Sequence, residues 1–223
     1  MRLILARHGA THNNGEGRFT GQTDAPLSPL GQAQSAELVR ALEPIALDVV
    51  MSSDLRRALA TAHTISDGHG VPLEVTEDLR ELNAGSWEGL TGAEARERDP
   101  SLFDAWREHP SRHAPPNGET YADAGARVHA MLSRCLSAYS EQTVLWMTHG
   151  GIIGIVLCQV LDMPLDRSWQ FRRDNAAITE VRFDATRQRQ PGSNRIGIIT
   201  RLNDTHHLRH LGHTGNQERV QVL

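Results

Sequence analysis

Two histidines and two arginines of this chain stand where buried-type strands run out into polar residues. The apolar run Leu3-Ile4-Leu5-Ala6 stops at Arg7-His8-Gly9-Ala10-Thr11, with Asn14 and Arg18 close behind. A second run, Leu47 to Met51, is followed by Ser53 and then Arg57, and a third, Val144 to Met147, ends in Thr148-His149-Gly150-Gly151. A guanidinium beside an imidazole points to an anionic substrate, because the planar fork of arginine matches phosphate or carboxylate bidentately. Arginines spread over the oxygens of a phosphoryl group stabilise charge in a loose transition state and leave an imidazole nitrogen free to attack in line. That imidazole must be unprotonated, and neighbouring arginines favour this by lowering its pKa. The leaving alkoxide needs a proton, which a positioned carboxyl can give at a gain of roughly 10²- to 10⁴-fold. Glu81 is the candidate donor, with Glu77, Asp78 and Glu88 as neighbours that could equally be surface charges.

Each of these residues also has a plainer reading. An Arg-His pair can end a strand by chance, Arg57 can be a solvated helix residue, and His149 can be a satisfied core histidine. Agreement in position and type at three strand ends favours a site, since parallel strands joined by right-handed crossovers bring all three ends to one rim of the sheet.

The elements that must do this positioning are legible in outline. Four consecutive apolar residues suit a strand buried on both faces of a parallel sheet. Residues 12 to 27, rich in Gly, Asn and Thr, read as loop, and Gly15, Gly17 and Gly21 miss the dinucleotide-binding spacing by one residue. Ser28-Pro29 starts a helix that buries Leu30, Ala33, Leu38, Ala41 and Leu42 and ends at Pro44. Asp54 reads as the cap of a further helix whose first turn carries Arg57, beside helix amides that favour an anion. Val71 to Val75 is a third strand candidate. Residues 83 to 118 mix Gly, Pro, Trp, Arg and His and read as a cap inserted over the site. In it Phe103, Trp106, Arg107, Arg112 and His113 either line a pocket or pack the cap, and Arg172 and Arg173 pose the same choice. A long helix follows Glu119, and a uniformly apolar one, Ile152 to Leu161, must be buried. Ala177 to Phe183 and Arg195 to Leu202 suit two later strands, one antiparallel at an edge. The expected organisation is α/β, one domain over residues 1 to 205 with the cap at about 83 to 118, then a polar, mobile tail over 206 to 223.

Composition narrows the partners. The formal net charge of −4 forms no block of either sign, which argues against nucleic acid or an anionic membrane surface. Every basic residue is arginine, so lysine Schiff-base chemistry and a Walker lysine are ruled out. Cys135 and Cys158 lie in separate apolar stretches and read as small core residues in a reducing compartment. No signal peptide and no membrane-length apolar run is seen, and the expected location is the cytoplasm. His206 and His210 have helical metal-site spacing, with His207 and His213 nearby, but only Asp204 could join them; no metal site and no cofactor are expected. Oligomeric state has no readable signal, and a homodimer is left open.

The order Arg7-His8-Gly9-x-Thr11-x-x-Asn14, Arg18-x-x-Gly21, Ser53-Asp54-Leu55-x-Arg57-Ala58, Glu81 with Gly85-x-Trp87-Glu88-Gly89, Gly118-Glu119-Thr120 and Thr148-His149-Gly150 resembles the histidine phosphatase superfamily, founded on the phosphoglycerate mutases. The resemblance implies a three-layer α/β/α sandwich with a mostly parallel central sheet and a small inserted helical cap. It implies His8 as the phosphorylated nucleophile, Arg7, Arg57 and His149 as the phosphate pocket, and Glu81 as proton donor. Asn14, Thr20, Gly21 and Gly150 are implied to bind substrate, a small phosphorylated metabolite. Mutases usually have an acidic residue after Arg-His-Gly, whereas this chain has Ala10, and the stretch from Glu81 to Gly118 is short and lacks their basic motif. The chain is therefore more similar to the α-ribazole phosphate and broad-specificity phosphatases, as is its Leu202-Asn203-Asp204-Thr205-x-His207-Leu208 ending. The expected activity is metal-independent hydrolysis of phosphomonoesters through phosphohistidine, with a cofactor-dependent phosphoglycerate mutase as the alternative.

Overall fold

In a computed structural model, which describes residues 1–184 and 197–211, the first apolar run is strand β1 (Arg2–Arg7), its middle four residues buried. In chain order there follow α1 (His12–Glu16), α2 (Pro29–Leu42), β2 (Val49–Ser53), α3 (Arg56–His69), β3 (Leu73–Thr76), α4 (Gly92–Arg98) and α5 (Pro100–Glu108). Then come α6 (Tyr121–Ala138), β4 (Thr143–Thr148), α7 (Gly150–Val160), β5 (Ile178–Phe183) and β6 (Gly197–Asp204). The strands form one six-stranded sheet in the order β3-β2-β4-β1-β5-β6. The first four in that order are parallel, β5 runs antiparallel to β1, and β6 antiparallel to β5.

Alternation along the strands divides the interior into two cores. Leu3, Leu5, Val144 and Trp146 pack with α6 and α7 on one face, while Ile4, Ala6, Leu145 and Met147 pack with α2 and α3 on the other. The result is the α/β/α sandwich that the residues and the resemblance led us to expect. Helix α7 is apolar almost all round and is buried from Ile152 to Cys158. The segment after β3 forms the cap, where Trp87, Ala95, Phe103 and Trp106 make a third apolar cluster against Phe19. Trp87 and Trp106 meet edge to face at 5.4 Å, a favoured quadrupolar arrangement.

Four local expectations need correction. The stretch 12 to 27 is not all loop: Thr11 and Asn14 cap α1 reciprocally, the Asn14 amide donating to Thr11 Oγ1 and the Thr11 amide to Asn14 Oδ1. This is a capping box written with Asn in place of Glu or Gln. Helix α2 starts at Ser28 and Pro29 as expected, yet Leu30 is exposed and the buried face is Gly31, Gln34, Ser35, Leu38 and Leu42. Its rotation is set by the loop after β1: a Cβ on Gly31 would strike the Ala10 carbonyl, and Gln34 Oε1 accepts from the Ala10 amide at 2.8 Å. Asp54 does not cap α3, whose N-cap is Leu55; it accepts instead from Arg80 Nε at 2.8 Å.

The tail is not free from residue 206 onward. His206–Leu211 form a 3-10 turn whose Leu208 is buried in the core beside α2. His207 meets the Ala176 carbonyl at 3.0 Å and His210 faces Glu37 at 3.2 Å, so each ring has a structural partner. His213 and the expectation for 212 to 223 lie outside the described residues, as does Arg195 of the last strand.

Candidate active site

Strands β1 and β4 are neighbours in register, Arg7 opposite Thr148, so His8 and His149 leave the sheet side by side. Their ring centroids are 5.0 Å apart. Strand β2 lies beyond β4, and the first turn of α3 brings Arg57 in beneath them, fully buried. Its Nε donates to His149 Nδ1 at 3.3 Å, Nη1 to the Thr23 carbonyl at 2.8 Å and Nη2 to the Gly21 carbonyl at 2.7 Å. No carboxylate neutralises this charge within ion-pairing distance among the described residues.

These contacts assign the two imidazoles opposite tautomers. His8 Nδ1 lies 2.7 Å from the Gly9 carbonyl, an acceptor only, so Nδ1 carries the proton and Nε2 keeps its lone pair. His149 Nδ1 accepts from Arg57, so its proton is on Nε2, which is buried with no partner. One ring is a base with an available nitrogen; the other is a neutral donor. Burial first, then Arg57, pushes both rings well below the usual histidine value of 6.5, and Arg7 adds to this for each. Burial also draws Arg7 down to about 10, which leaves it charged at neutral pH. Arg7 is held by an Nη1 bond to the Arg173 carbonyl, and its buried Nε has no partner.

The depressed histidine values have a measurable consequence. Below pH 6.5 the unfolded chain takes up protons that the folded chain refuses, so stability falls as pH drops from 6.5 toward the folded values. Each ring contributes a slope of up to about 1.4 kcal/mol per pH unit. Urea unfolding between about pH 7.5 and 5.5 reads that slope, and His8→Asn is expected to flatten it. Because His8 stays a free base, kcat/KM is expected not to fall as pH passes down through 6.5.

Of the acids weighed at the sequence level, Glu81 alone lines the cavity. Glu77 pairs with Arg80 and Asp78 with Arg134, while Glu88 accepts from the Gln22 and Thr23 amides at 2.7 and 2.9 Å. Glu81 accepts from the Gly151 amide at 3.1 Å through both oxygens, at the start of α7. A Cβ on Gly151 would collide with that carboxylate and with Leu82. Gly151→Ala is therefore expected to unseat Glu81 and lower kcat/KM by on the order of 10²-fold in a phosphate-release assay, with the fold retained by circular dichroism.

The remaining expected residues also converge. Asn14 lines the cavity with Oδ1 occupied by Thr11 and Asn175, so an N–H is what it can offer a ligand. Thr20 Oγ1 is buried without a partner at the cavity wall. Gly21 holds Arg57 through its carbonyl at a φ of 53° that glycine adopts without strain. Gly150 lies against the Arg7 guanidinium. Sequence reasoning left Arg172 and Arg173 undecided: both line the cavity, Arg173 donating from Nη1 to the Gly150 carbonyl at 3.2 Å and Arg172 pairing with Asp174. It missed Asn175, whose Nδ2 donates to the His8 carbonyl at 3.1 Å, and Tyr121, Trp169 and Phe171 of the cavity wall. No local pattern marks those four. Trp106 faces both ways, packing the cap and lining the cavity.

The cavity measures about 360 Å³, and Arg7 and Thr20 of its wall hold buried polar atoms without partners, Nε and Oγ1. His149 is not part of that wall, but its unpartnered Nε2 belongs to a ring 5.0 Å from that of His8, which is. Two guanidiniums, Arg7 and the buried Arg57, two further donors, Thr20 Oγ1 and His149 Nε2, and a free imidazole nitrogen at the carboxyl ends of parallel strands define an α/β site for a compact oxyanion. Comparison with known proteins supplies the family. Residues 3–194 match the histidine phosphatase superfamily (branch 1), and the chain belongs to it.

The chain is 36% identical over 175 residues to glucosyl-3-phosphoglycerate phosphatase of Mycolicibacterium vanbaalenii, covering 74% of this chain and 76% of that one. It is 33% identical to adenosylcobalamin/alpha-ribazole phosphatase of Salmonella typhimurium, covering 81% and 90%. A solved mycobacterial glucosyl-3-phosphoglycerate phosphatase complexed with VO3 superposes with a TM-score of 0.79 at 29% identity, covering 91% and 98%. The protein is a phosphatase, a phosphoric monoester hydrolase of this superfamily.

Proposed function

We propose that the chain hydrolyses small phosphomonoesters in the cytoplasm, without a metal, through a phosphohistidine on His8. The observation that carries this reading is the tautomer of His8, whose bond to the Gly9 carbonyl leaves the Nε2 lone pair for phosphorus. Arg7, Arg57 and His149 Nε2–H would hold the phosphoryl oxygens, joined by Asn14 and Thr20. In the first step His8 Nε2 attacks phosphorus, the P–O ester bond breaks, and the departing alkoxide takes the proton of Glu81. In the second a water gives its proton to the Glu81 carboxylate and attacks phosphorus, and the P–N bond breaks to release inorganic phosphate and free imidazole. The relatives' names, glucosyl-3-phosphoglycerate phosphatase and adenosylcobalamin/alpha-ribazole phosphatase, support a small phosphorylated metabolite as substrate. The two buried, unpaired thiols, Cys135 and Cys158, support a reducing compartment.

The test is a panel of phosphomonoesters with chelator present, each assayed with and without bisphosphoglycerate. Release of inorganic phosphate independent of the bisphosphate is the expected result. Interconversion of 2- and 3-phosphoglycerate that requires bisphosphate priming would establish a mutase instead.

A further inference from the structure

The segment Gly118-Glu119-Thr120 stands beside the stretch that carries Glu81. Thr120 caps α6, and Arg127 lies two turns in. Arg127 Nη1 donates to the Asp78 carbonyl at 2.7 Å and Nη2 to the Glu81 carbonyl at 3.3 Å, so one guanidinium grips both ends of residues 78 to 81. Nη2 also meets Glu119 Oε1 at 2.9 Å, and the same oxygen accepts from the Asn83 amide at 2.8 Å. The Glu119 amide in turn donates to the Asn83 carbonyl at 3.0 Å. Both charged side chains are largely buried, with 20% and 18% of their surface exposed. Such a pair costs desolvation, which is offset only by hydrogen bonds of this completeness.

We propose that Arg127, braced by Glu119, is a positioning residue for the proton donor: it fixes the main chain of residues 78 to 83 where the Glu81 carboxylate reaches both the Gly151 amide and the leaving oxygen. This rests on Glu81 being the proton donor, as proposed above. The physical reason is distance. Arg127 does not line the cavity itself; it touches the backbone of Glu81 and the side chain of Glu119, which lines the wall with Asn83, so its influence on proton donation runs through the placement of this stretch and of Glu81 within it. Shifting a positioned group by about 1 Å can cost 10²-fold. The shift matters only when the leaving oxygen needs a proton.

The experiment is a leaving-group comparison on Arg127→Gln, Arg127→Lys and Glu81→Gln, with folding checked by thermal unfolding. For an alkyl phosphate, Arg127→Gln is expected to lose on the order of 10²-fold in kcat/KM. For p-nitrophenyl phosphate, whose phenolate departs without a proton, the loss is expected to stay within about threefold. Inhibition by vanadate should be unchanged, since the phosphate-holding groups are untouched, and Arg127→Lys should recover part of the alkyl phosphate activity. Equal losses on both substrates, or weakened vanadate inhibition, would assign Arg127 a purely structural role and overturn the proposal. If Glu81→Gln discriminates between leaving groups and both Arg127 variants do not, the proposal alone fails. If Glu81→Gln shows no discrimination, Glu81 is not the donor and both readings fall.

Discussion

His8→Ala is expected to lower kcat/KM for every phosphomonoester by on the order of 10⁴-fold or more, because no other group in the cavity can replace its nitrogen. His149, only 5.0 Å away, cannot take over. Its Nδ1 lone pair is engaged by Arg57 and its Nε2 bears the proton. The loss should appear in turnover with little change in vanadate or phosphate affinity, since Arg7, Arg57 and His149 remain. Steady-state kinetics beside inhibitor titration separates the two. A His8→Ala variant within tenfold of the wild type would mean that another residue or water attacks phosphorus directly.

Arg57→Met is expected to be the second most damaging change, with a loss of roughly 10²- to 10³-fold in kcat/KM and a fall in stability. The kinetic loss combines a missing cation at the phosphoryl oxygens with a freed His149, which no longer has a fixed tautomer. The stability loss arises because the buried Gly21 carbonyl loses its donor, at about 1–3 kcal/mol for a buried group left unpaired, while the carbonyl of exposed Thr23 can turn to water. Arg57→Lys should rescue little of either. An ammonium keeps the charge but cannot reach two carbonyls and an imidazole nitrogen at once with planar geometry. Kinetics and urea unfolding on the two variants check this, and near-wild-type turnover in Arg57→Lys would show that charge alone suffices.

What is legible in the amino-acid sequence follows from strand chemistry. Four apolar residues ending in Arg7-His8, and the same pattern before His149, place both imidazoles at strand ends, and adjacency of β1 and β4 does the rest. Ser28-Pro29 gave a helix start at the right residue because capping is local. One miss, α1, is a local capping box written with Asn14; the others are cases where a distant partner overrides a local preference. Asp54 has a capping side chain but is taken by Arg80, and the buried face of α2 follows Ala10 in place of its own leucine at position 30. Leu208 is anchored by a core that its polar neighbours conceal.

At the site itself, residues inside motifs were legible and residues from the connection after α7 were not. Arg173, Asn175 and the wall residues Trp169 and Phe171 come from a stretch without periodicity, so only the folded chain reveals that Asn175 holds the His8 carbonyl and that the other three line the cavity. Glu81 was separable from Glu77, Asp78 and Glu88 by motif alone; in the folded chain each competitor is occupied elsewhere. Arg127 escaped notice entirely, because a helix arginine carries no sign of the carbonyls it will hold.

The most direct measurement of the central claim is rapid quenching of the enzyme during turnover of a radiolabelled phosphomonoester. The reading developed above predicts a covalent phosphoprotein that is labile in acid, stable in alkali, maps to the peptide containing His8 and is absent from His8→Ala. No trapped label under single-turnover conditions, or label undiminished in His8→Ala, would contradict it.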